Sequence, residues 1–242
     1  MRIDRYLFEN GFAKSRTRAA AMIAEGSVTV NGVRVTKPSL DVSESDNVEI
    51  CGEVLRYVSR GGLKLEAAIS AFHLNVSDCV AVDIGASTGG FTDCLLQNGC
   101  AKVYAVDSGS NQLDASLAVL DSVVSMENCN ARYLTFEDIG EFCDIAVCDL
   151  SFISQTLLHA VIAGLVKPNG VFVSLIKPQF EVGRERLGKG GIVKEEKHRQ
   201  FAIEKVVMSA NSCGFTLQGI IPSPITGGDG NTEYLACFIR NP

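Results

Sequence analysis

The chain has 242 residues, of which 46% are apolar and 21% are charged. At about 150 residues per domain, this length favours one large domain, or a large domain with a small one, and the apolar fraction excludes wholesale disorder. No apolar run reaches the roughly 18 residues that a membrane span needs, and charges at residues 2, 4 and 5 argue against a secretory signal. The nine cysteines are irregularly spaced and the three histidines are scattered, so we expect a reduced, cytoplasmic protein without a metal site.

Charge is unevenly distributed along the chain. Residues 1–60 carry 9 basic and 8 acidic side chains, whereas residues 61–242 carry 13 and 20. Residues 1–20 are the most basic part, with 5 basic residues against 2 acidic ones. The chain as a whole, with a net charge of −6, is therefore no general binder of polyanions, but a local basic face near its N-terminus suits nucleic-acid binding.

The first 58 residues predict a small α+β domain. Helical patterns cover residues 3–9 and 15–25, and Gly26 ends the second of them. Two β-branched runs then flank Asn31-Gly32, which predicts a hairpin, because a type I′ turn needs positive φ at both central positions. Residues 48–50 offer a third strand.

This part resembles the S-four RNA-binding domain, also called the αL fold. The resemblance lies in the runs R-I-D-R-Y-L, N-G-F-A-K-S-R-T-R-A and I-A-E-G-S-V-T-V-N-G-V-R-V-T-K-P. That family docks its second helix and the neighbouring hairpin on structured RNA. By position, the resemblance implies phosphate contacts for Lys14, Arg16, Arg18 and Lys37. The alternative is that these four side chains are ordinary solvated surface charges.

From residue 79 onward, short apolar runs alternate with helical segments. The predicted strands are 79–84, 102–107, 122–126, 144–150 and 171–176, and the helices between them are 90–98, 112–120 and 155–165. This alternation predicts a parallel sheet covered on both faces. A helix at 195–213 followed by two closely spaced strands, 215–221 and 234–240, predicts an antiparallel finish. We therefore expect a Rossmann-like, mostly parallel, seven-stranded α/β domain over residues 59–242.

A glycine-containing turn follows the first of these strands and opens a helix. It comprises Asp83, Gly85, Ser87, Thr88, Gly89, Gly90 and Phe91. Ser87 stands where the dinucleotide motif has the glycine that admits a pyrophosphate, so a cofactor without phosphate, S-adenosylmethionine, suits this turn. Asp107 ends the next strand, where it can accept both ribose hydroxyls, and Asp83 would lie near the cationic methionine end. The alternative is a structural turn with an incidental aspartate.

Polar residues also stand at the ends of later strands. Asp149 closes the strand 144–150, and Lys177 follows the strand 171–176. Because the carboxyl ends of parallel strands face the ligand crevice, both side chains should lie beside the cofactor. Lys64 at the start of a helix and Glu233 before the last strand complete a set of two lysines and two carboxylates, which suits proton abstraction. Each of the four taken singly could also be a surface charge.

Five segments are similar to the TlyA family over essentially the whole chain. They are S-R-G-G-L-K-L-E at 59–66, D-I-G-A-S-T-G-G-F-T-D-C at 83–94, C-D-L-S-F-I-S at 148–154, I-K-P-Q-F-E at 176–181 and G-N-T-E-Y at 230–234. That family joins an S-four domain to a methyltransferase of the FtsJ type. The resemblance implies an S-adenosylmethionine-dependent methyltransferase fold and 2′-O-methylation of cytidine in ribosomal RNA, free or in ribosomal subunits. It also implies a Lys-Asp-Lys-Glu tetrad at Lys64, Asp149, Lys177 and Glu233.

The chemistry of such a reaction assigns roles to the tetrad. A ribose hydroxyl is a poor nucleophile, so a base must take its proton in the transition state. We expect Lys177 to be this base, Asp149 to orient it, and Lys64 and Glu233 to position the ribose and balance charge, with no metal and no membrane involved. Three alternatives stay open: an RNA-binding protein with an inactive methyltransferase fold, a membrane-active haemolysin, and methyl transfer to a protein or small molecule.

Overall fold

The computed structural model describes residues 1–13, 16–24, 26–43, 45–50, 56–227 and 230–242, without the side chains of residues 17, 18 and 21. It separates into two compact units, Met1–Arg56 and Tyr57–Pro242, each with its own hydrophobic core. Among the described residues, no helix is long and apolar enough to cross a membrane. Within the same ranges, no group of three or more His, Cys, Asp or Glu side chains is arranged to hold a metal ion.

The N-terminal unit consists of two helices and a small antiparallel sheet. Its elements are α1 Ile3–Glu9, α2 Arg16–Ala24, β1 Val28–Val30, β2 Val33–Arg34 and β3 Val48–Ile50, with the strand order β2-β1-β3. Asn31 and Gly32 have φ values of 52° and 78°, as the expected hairpin turn requires. Ile3, Ile23 and Val28 are fully buried, so both helices pack on one face of this sheet.

The C-terminal unit contains a seven-stranded sheet in the order β6-β5-β4-β7-β8-β10-β9. Its strands are β4 Val80–Ile84, β5 Lys102–Val106, β6 Val123–Met126, β7 Cys143–Cys148, β8 Val166–Ile176, β9 Phe215–Pro222 and β10 Tyr234–Arg240. Strands β4 to β8 are parallel, and β10 runs antiparallel between β8 and β9. The mostly parallel sheet and its antiparallel finish are confirmed.

Helices cover both faces of this sheet. They are α3 Gly61–Ala71, α4 Gly90–Gln97, α5 Ala115–Ala118, α6 Phe136–Ile139, α7 His159–Leu165, α8 Pro178–Glu181 and α9 Glu196–Ser212. Successive residues of a strand point to opposite faces. Ala81 accordingly packs in a core cluster with residues of α3 and α4, whereas Val82 packs in a second cluster with residues of α7 and α9.

The helix expected at 112–120 is only four residues long in the structure, Ala115–Ala118. The Glu127 carboxylate accepts hydrogen bonds from the backbone amides of residues 111–113 and holds them in a loop. The side chain of Asp114 then caps the short helix. The helix is shorter than expected because Glu127, 14 to 16 residues away, binds the amides that would start it, and local periodicity does not predict such a contact.

Two other boundaries also differ from those expected. The segment 155–165 begins as a 3-10 turn, Gln155–Leu157, before α7 starts. Strand β8 starts at Val166 rather than at residue 171, because Val166 already pairs with Cys143 of β7. Neither change moves the carboxyl ends of the strands. The strand expected at 144–150, however, ends at Cys148, so Asp149 lies directly after it and not within it.

Candidate active site

Three of the four tetrad residues lie at one edge of the C-terminal sheet. Asp149 and Lys177 directly follow the carboxyl ends of the neighbouring strands β7 and β8. Glu233 directly precedes β10, which is antiparallel to β8, and the register pairs Tyr234 with Ile176. The antiparallel last strand therefore returns the chain to the edge at which the parallel strands end.

The same three residues also share one face of the sheet. The strand residues two positions from them are Val147, Leu175 and Leu235, and all three belong to the core cluster that packs against α3 and α4. Because side chains alternate between faces, Asp149, Lys177 and Glu233 lie on this side too. Lys64 belongs to α3, so the fourth residue approaches from the helix that covers this face.

The four side chains form two ion pairs. Lys64 Nζ lies 2.5 Å from Glu233 Oε2, and the two side chains are only 10% and 2% exposed. Lys177 Nζ lies 2.5 Å from Asp149 Oδ1, with exposures of 12% and 22%, and donates to Ser151 Oγ at 3.0 Å. The first pair is almost dry, whereas the second is somewhat more exposed, mainly at Asp149.

Glycines bring α3 against the turn that follows β4. A Cβ on Gly62 would lie 2.3 Å from the Tyr57 ring, and a Cβ on Gly90 would lie 3.0 Å from the amide nitrogen of Gly62. A larger residue at Gly62 would clash with Tyr57, and one at Gly90 would separate the N-termini of α3 and α4. Their close approach places Lys64, in the first turn of α3, beside the expected cofactor turn.

The turn after β4 has a left-handed backbone at Gly85, Ser87 and Gly89, with φ values of 85°, 48° and 92°. A Cβ on Gly85 would lie 2.3 Å from the carbonyl oxygen of Asp149. Only glycine combines this φ with so close an approach. The turn is thereby held against the segment that carries Asp149.

A cavity of about 610 Å³ opens beside this turn, a size typical of small-molecule sites, which span about 300–1,000 Å³. Gly85, Ser87 and Asp107 line it, together with Asp149 and apolar residues such as Leu150. Thr88, Gly89, Gly90 and Phe91 belong to the same turn and to the start of α4 but are not lining residues. The cavity combines apolar walls with a few carboxylate and amide groups, as an adenosine site requires.

Asp107 is held in place by two backbone amides. Its Oδ2 accepts from Ser87 N at 2.8 Å, and its Oδ1 accepts from Gly109 N at 2.7 Å. A carboxylate offers about four lone-pair positions, so each oxygen can accept a further hydrogen bond. The side chain is therefore fixed in position and still able to accept the hydroxyls of a ribose.

Asp83 is fully buried beneath the turn. Thr92 Oγ1 donates to its Oδ2 at 2.7 Å, while Oδ1 has no hydrogen-bond partner within the described parts of the chain. Burial raises the pKa of this carboxyl to about 7. Asp83 does not line the cavity, and its place near the methionine end of the cofactor stays a prediction.

The basic residues expected to contact RNA belong to the N-terminal unit. Arg16 donates to Asp4 at 2.8 Å and lowers the pKa of that buried carboxyl, so it joins α2 to α1 while its side chain stays 54% exposed. Lys37 is exposed. Lys14 and the side chain of Arg18 lie outside the described residues. RNA contact by these four residues stays a prediction.

Sequence reasoning missed part of the cavity wall. Asn130 and Arg132 line it, as does Ser151, which also accepts the hydrogen bond from Lys177. A positional signal was available for the first two, because residues 129–132 come shortly after β6, at the same carboxyl edge of the sheet. Ser151 lies two residues after Asp149, and nothing in its residue type distinguishes it.

Two family profiles match the chain, FtsJ-like methyltransferase over residues 57–240 and S4 domain over residues 1–48. Hemolysin A of Brachyspira hyodysenteriae is 42% identical over 99% of this chain and 100% of its own length. The 16S/23S rRNA (cytidine-2'-O)-methyltransferase TlyA of Mycobacterium tuberculosis is 40% identical over 96% of this chain and 87% of its own. The chain belongs to the TlyA family of FtsJ-like methyltransferases. The resemblance read from the sequence motifs is thus confirmed.

Solved structures agree with this methyltransferase assignment. A chain described as a candidate hemolysin from Streptococcus thermophilus is 43% identical, with a TM-score of 0.80 over 100% of this chain and 88% of its own. A candidate S-adenosylmethionine-dependent methyltransferase from Listeria monocytogenes is 12% identical, with a TM-score of 0.57 over 76% of this chain and 100% of its own. The latter shares the fold alone. The family shows that this chain is a methyltransferase, and the shared fold is one that occurs in proteins described as S-adenosylmethionine-dependent methyltransferases.

Proposed function

We propose that this methyltransferase transfers the methyl group of S-adenosylmethionine to a cytidine ribose 2′-hydroxyl in ribosomal RNA. The observation that carries the proposal is that Lys177 is bonded to Asp149 and Ser151, which line the same cavity as Asp107, although Lys177 itself is not a lining residue. A group that can accept a proton therefore lies next to a pocket of the size that a nucleoside needs. The names of the relatives support the substrate, since TlyA of Campylobacter jejuni, 31% identical, is also described as a 23S rRNA (cytidine-2'-O)-methyltransferase.

The cavity residues fit S-adenosylmethionine, which supplies a methyl group activated on a positively charged sulfur. Asp107 would accept the ribose hydroxyls. The turn formed by Gly85, Ser87, Thr88, Gly89, Gly90 and Phe91 would hold the cofactor, and Asp83 would lie toward its methionine end. The unpartnered buried Oδ1 of Asp83 favours a cationic group at that place.

Lys177 is the proposed base. Asp149 at 2.5 Å and Ser151 at 3.0 Å, both of which line the cavity, hold its amine beside the cavity wall. The protonated ammonium group of lysine must lose one proton before it can accept another. The side chain is 12% exposed, so this first proton can pass to water. The amine can then take the proton of the 2′-hydroxyl as the methyl group is transferred.

The Lys64–Glu233 pair has a different proposed role. Its burial leaves little room for proton exchange with water, and each charge is neutralised by the other. The pair is positioned next to Lys177 through the register of β10 with β8. We assign it the positioning of the ribose and the balance of charge around the base.

We assign RNA binding and catalysis to two different parts of the chain. Residues 1–58 form the RNA-binding domain, in which Lys14, Arg16, Arg18 and Lys37 contact phosphates, and residues 59–242 form the catalytic domain. The partner is ribosomal RNA, free or in ribosomal subunits. The relatives are bacterial proteins, and bacterial ribosomes are assembled in the cytoplasm, so we propose that the enzyme works there.

The direct test is a mass-spectrometric map of ribose 2′-O-methyl groups in ribosomal RNA from cells with and without this gene. We expect at least one cytidine to lose its methyl group in the deletion strain. Expression of the wild-type chain should restore the group, and expression of Lys177→Met should not. An unchanged map would contradict the proposed function.

Replacing Asp107 with alanine is expected to weaken cofactor binding by about 1.5–3 kcal/mol, the scale of hydrogen bonds to a charged group. Isothermal titration calorimetry with S-adenosylmethionine measures this loss. Asp107→Asn keeps one acceptor oxygen and should lose less. Asp121→Ala, the same change at an exposed site, is the control. Equal affinity of folded Asp107→Ala and wild type would remove Asp107 from the site.

Replacing Arg18 and Lys37 together with alanine is expected to weaken RNA binding and to flatten its salt dependence. Each lost phosphate contact should reduce the slope of log K against log salt by about 0.7–0.9. Filter binding to ribosomal RNA at several salt concentrations measures both quantities. Arg16 is left intact because of its bond to Asp4, and Lys167→Ala, at the amino end of β8, serves as the control. An unchanged slope would mean that these side chains are ordinary surface charges.

A further inference from the structure

Glu181 is a buried acid at the end of α8, four residues after Lys177. Its Oε2 accepts from Ser154 Oγ at 2.5 Å and from Lys205 Nζ at 3.1 Å, and its Oε1 accepts from the backbone amide of Gln155 at 2.9 Å. Its side chain is only 2% exposed. A carboxylate removed from water in this way persists only because its hydrogen bonds replace solvation.

Two of these donors belong to the segment that follows Asp149. Gln155 continues the connection, since its side chain donates to the carbonyl oxygen of Leu175 at 3.3 Å and accepts from the hydroxyl of Ser174, both on β8. Glu181 itself lies on α8, which begins directly after Lys177. The two chain segments that carry Lys177 and Asp149 are therefore joined a second time, through Glu181 and Gln155.

The segment 150–155 needs such a connection. Apart from Gln155 it contains no helix or strand residues, and Phe152 has a φ of 70°, a conformation that bulky residues rarely adopt. The same segment carries Ser151, which accepts the hydrogen bond from Lys177, and residues 150–153 line the cavity. Its geometry is thus set by contacts with its surroundings and not by local backbone preference.

We propose that Glu181 is a positioning residue for methyl transfer. Its carboxylate holds the segment 150–155 against α8 and β8, and this segment in turn sets the positions of Asp149 and Ser151 around the amine of Lys177. Lys205 neutralises the buried carboxylate from α9. The proposal rests on the proposed function of Lys177 and adds a residue outside the tetrad that does not touch the substrate.

The test compares Glu181→Leu and Glu181→Gln in the full chain. Leucine fills much of the space but accepts no hydrogen bond, so the single-turnover rate constant at saturating cofactor and RNA should fall about 10- to 100-fold, the scale of a small misplacement in a site. Glutamine keeps an oxygen that can accept the Gln155 amide but places an NH2 group where the carboxylate accepts from Ser154 and Lys205, so its rate should fall less than that of the leucine variant. The dissociation constant for RNA should stay close to the wild-type value for both variants.

Leu165→Ala is the control for a general loss of stability, because Leu165 is buried at the end of α7, just before the start of β8 and far along the strand from the site. A similar fall in rate for this variant, at a matched Tm, would overturn the positioning role. Equal losses for the leucine and glutamine variants would do the same.

Amide hydrogen exchange provides a readout that does not depend on methyl transfer. Residues 150–156 should exchange faster in Glu181→Leu than in wild type and in Leu165→Ala. Unchanged exchange in this segment would overturn the inference even if the rate falls. If wild type transfers no methyl group to ribosomal RNA, the proposed function fails, and the exchange result by itself decides whether Glu181 holds the segment.

Discussion

Lys177→Met is expected to abolish detectable methyl transfer while fold, cofactor affinity and RNA affinity stay close to wild type. Methionine keeps the bulk of the lysine stem and removes the amine that lies 2.5 Å from Asp149. General base catalysis contributes about 10²- to 10⁴-fold to a chemical step, so the loss should bring the rate near background. Single-turnover assays with saturating cofactor and ribosomal RNA measure it.

Lys177→Arg distinguishes a base from a positive charge. Arginine keeps the charge beside Asp149, but a guanidinium does not deprotonate in proteins and cannot accept the hydroxyl proton. We expect this variant to fail as well, whereas Lys102→Met, at the opposite edge of the sheet, should behave as wild type. An arginine rate above about a tenth of wild type, far more than the loss of a general base allows, would mean that Lys177 acts through its charge. Lys64 would then be the next candidate for the base.

Removing one partner of the Lys64–Glu233 pair is expected to lower the free energy of unfolding of the C-terminal unit by about 3–5 kcal/mol, because it leaves an uncompensated buried charge. Lys64→Met and Glu233→Leu should each show this loss in chemical denaturation at pH 7. The double variant should lose much less than the sum, since no unpaired charge is left. Strictly additive losses in the free energy of unfolding would contradict the conclusion that Lys64 and Glu233 form a buried ion pair.

The surface pair Lys167–Asp144 provides the matched control. Its side chains are 47% and 34% exposed, against 10% and 2% for Lys64 and Glu233. Exposed pairs contribute about 0–1 kcal/mol, so Lys167→Met should change the free energy of unfolding little. Similar losses for the exposed pair and the buried pair would mean that burial does not determine how much the free energy of unfolding falls when one partner is removed.

Local sequence patterns were sufficient for most of the fold. Asn31-Gly32 predicts its hairpin because few residue pairs tolerate positive φ twice in succession. The apolar runs from residue 79 onward predict parallel strands because both faces of such strands are buried. The lengths of α5 and β8 escaped this reasoning, since the first is limited by the carboxylate of Glu127 and the second is extended by pairing with Cys143.

The features of the candidate site also fall into those that the sequence identifies and those that only the structure reveals. The sequence by itself determined which residues stand at strand ends and in the turn after β4, because those positions follow from local periodicity, and the family resemblance named the tetrad. Only the tertiary structure decided that Lys64 pairs with Glu233, 169 residues away, and that Arg16 is bonded to Asp4. It alone decided that Glu181 holds the segment after Asp149. These contacts depend on which helix covers which face and on the register of β10 with β8, and both are set by the packing of the whole unit.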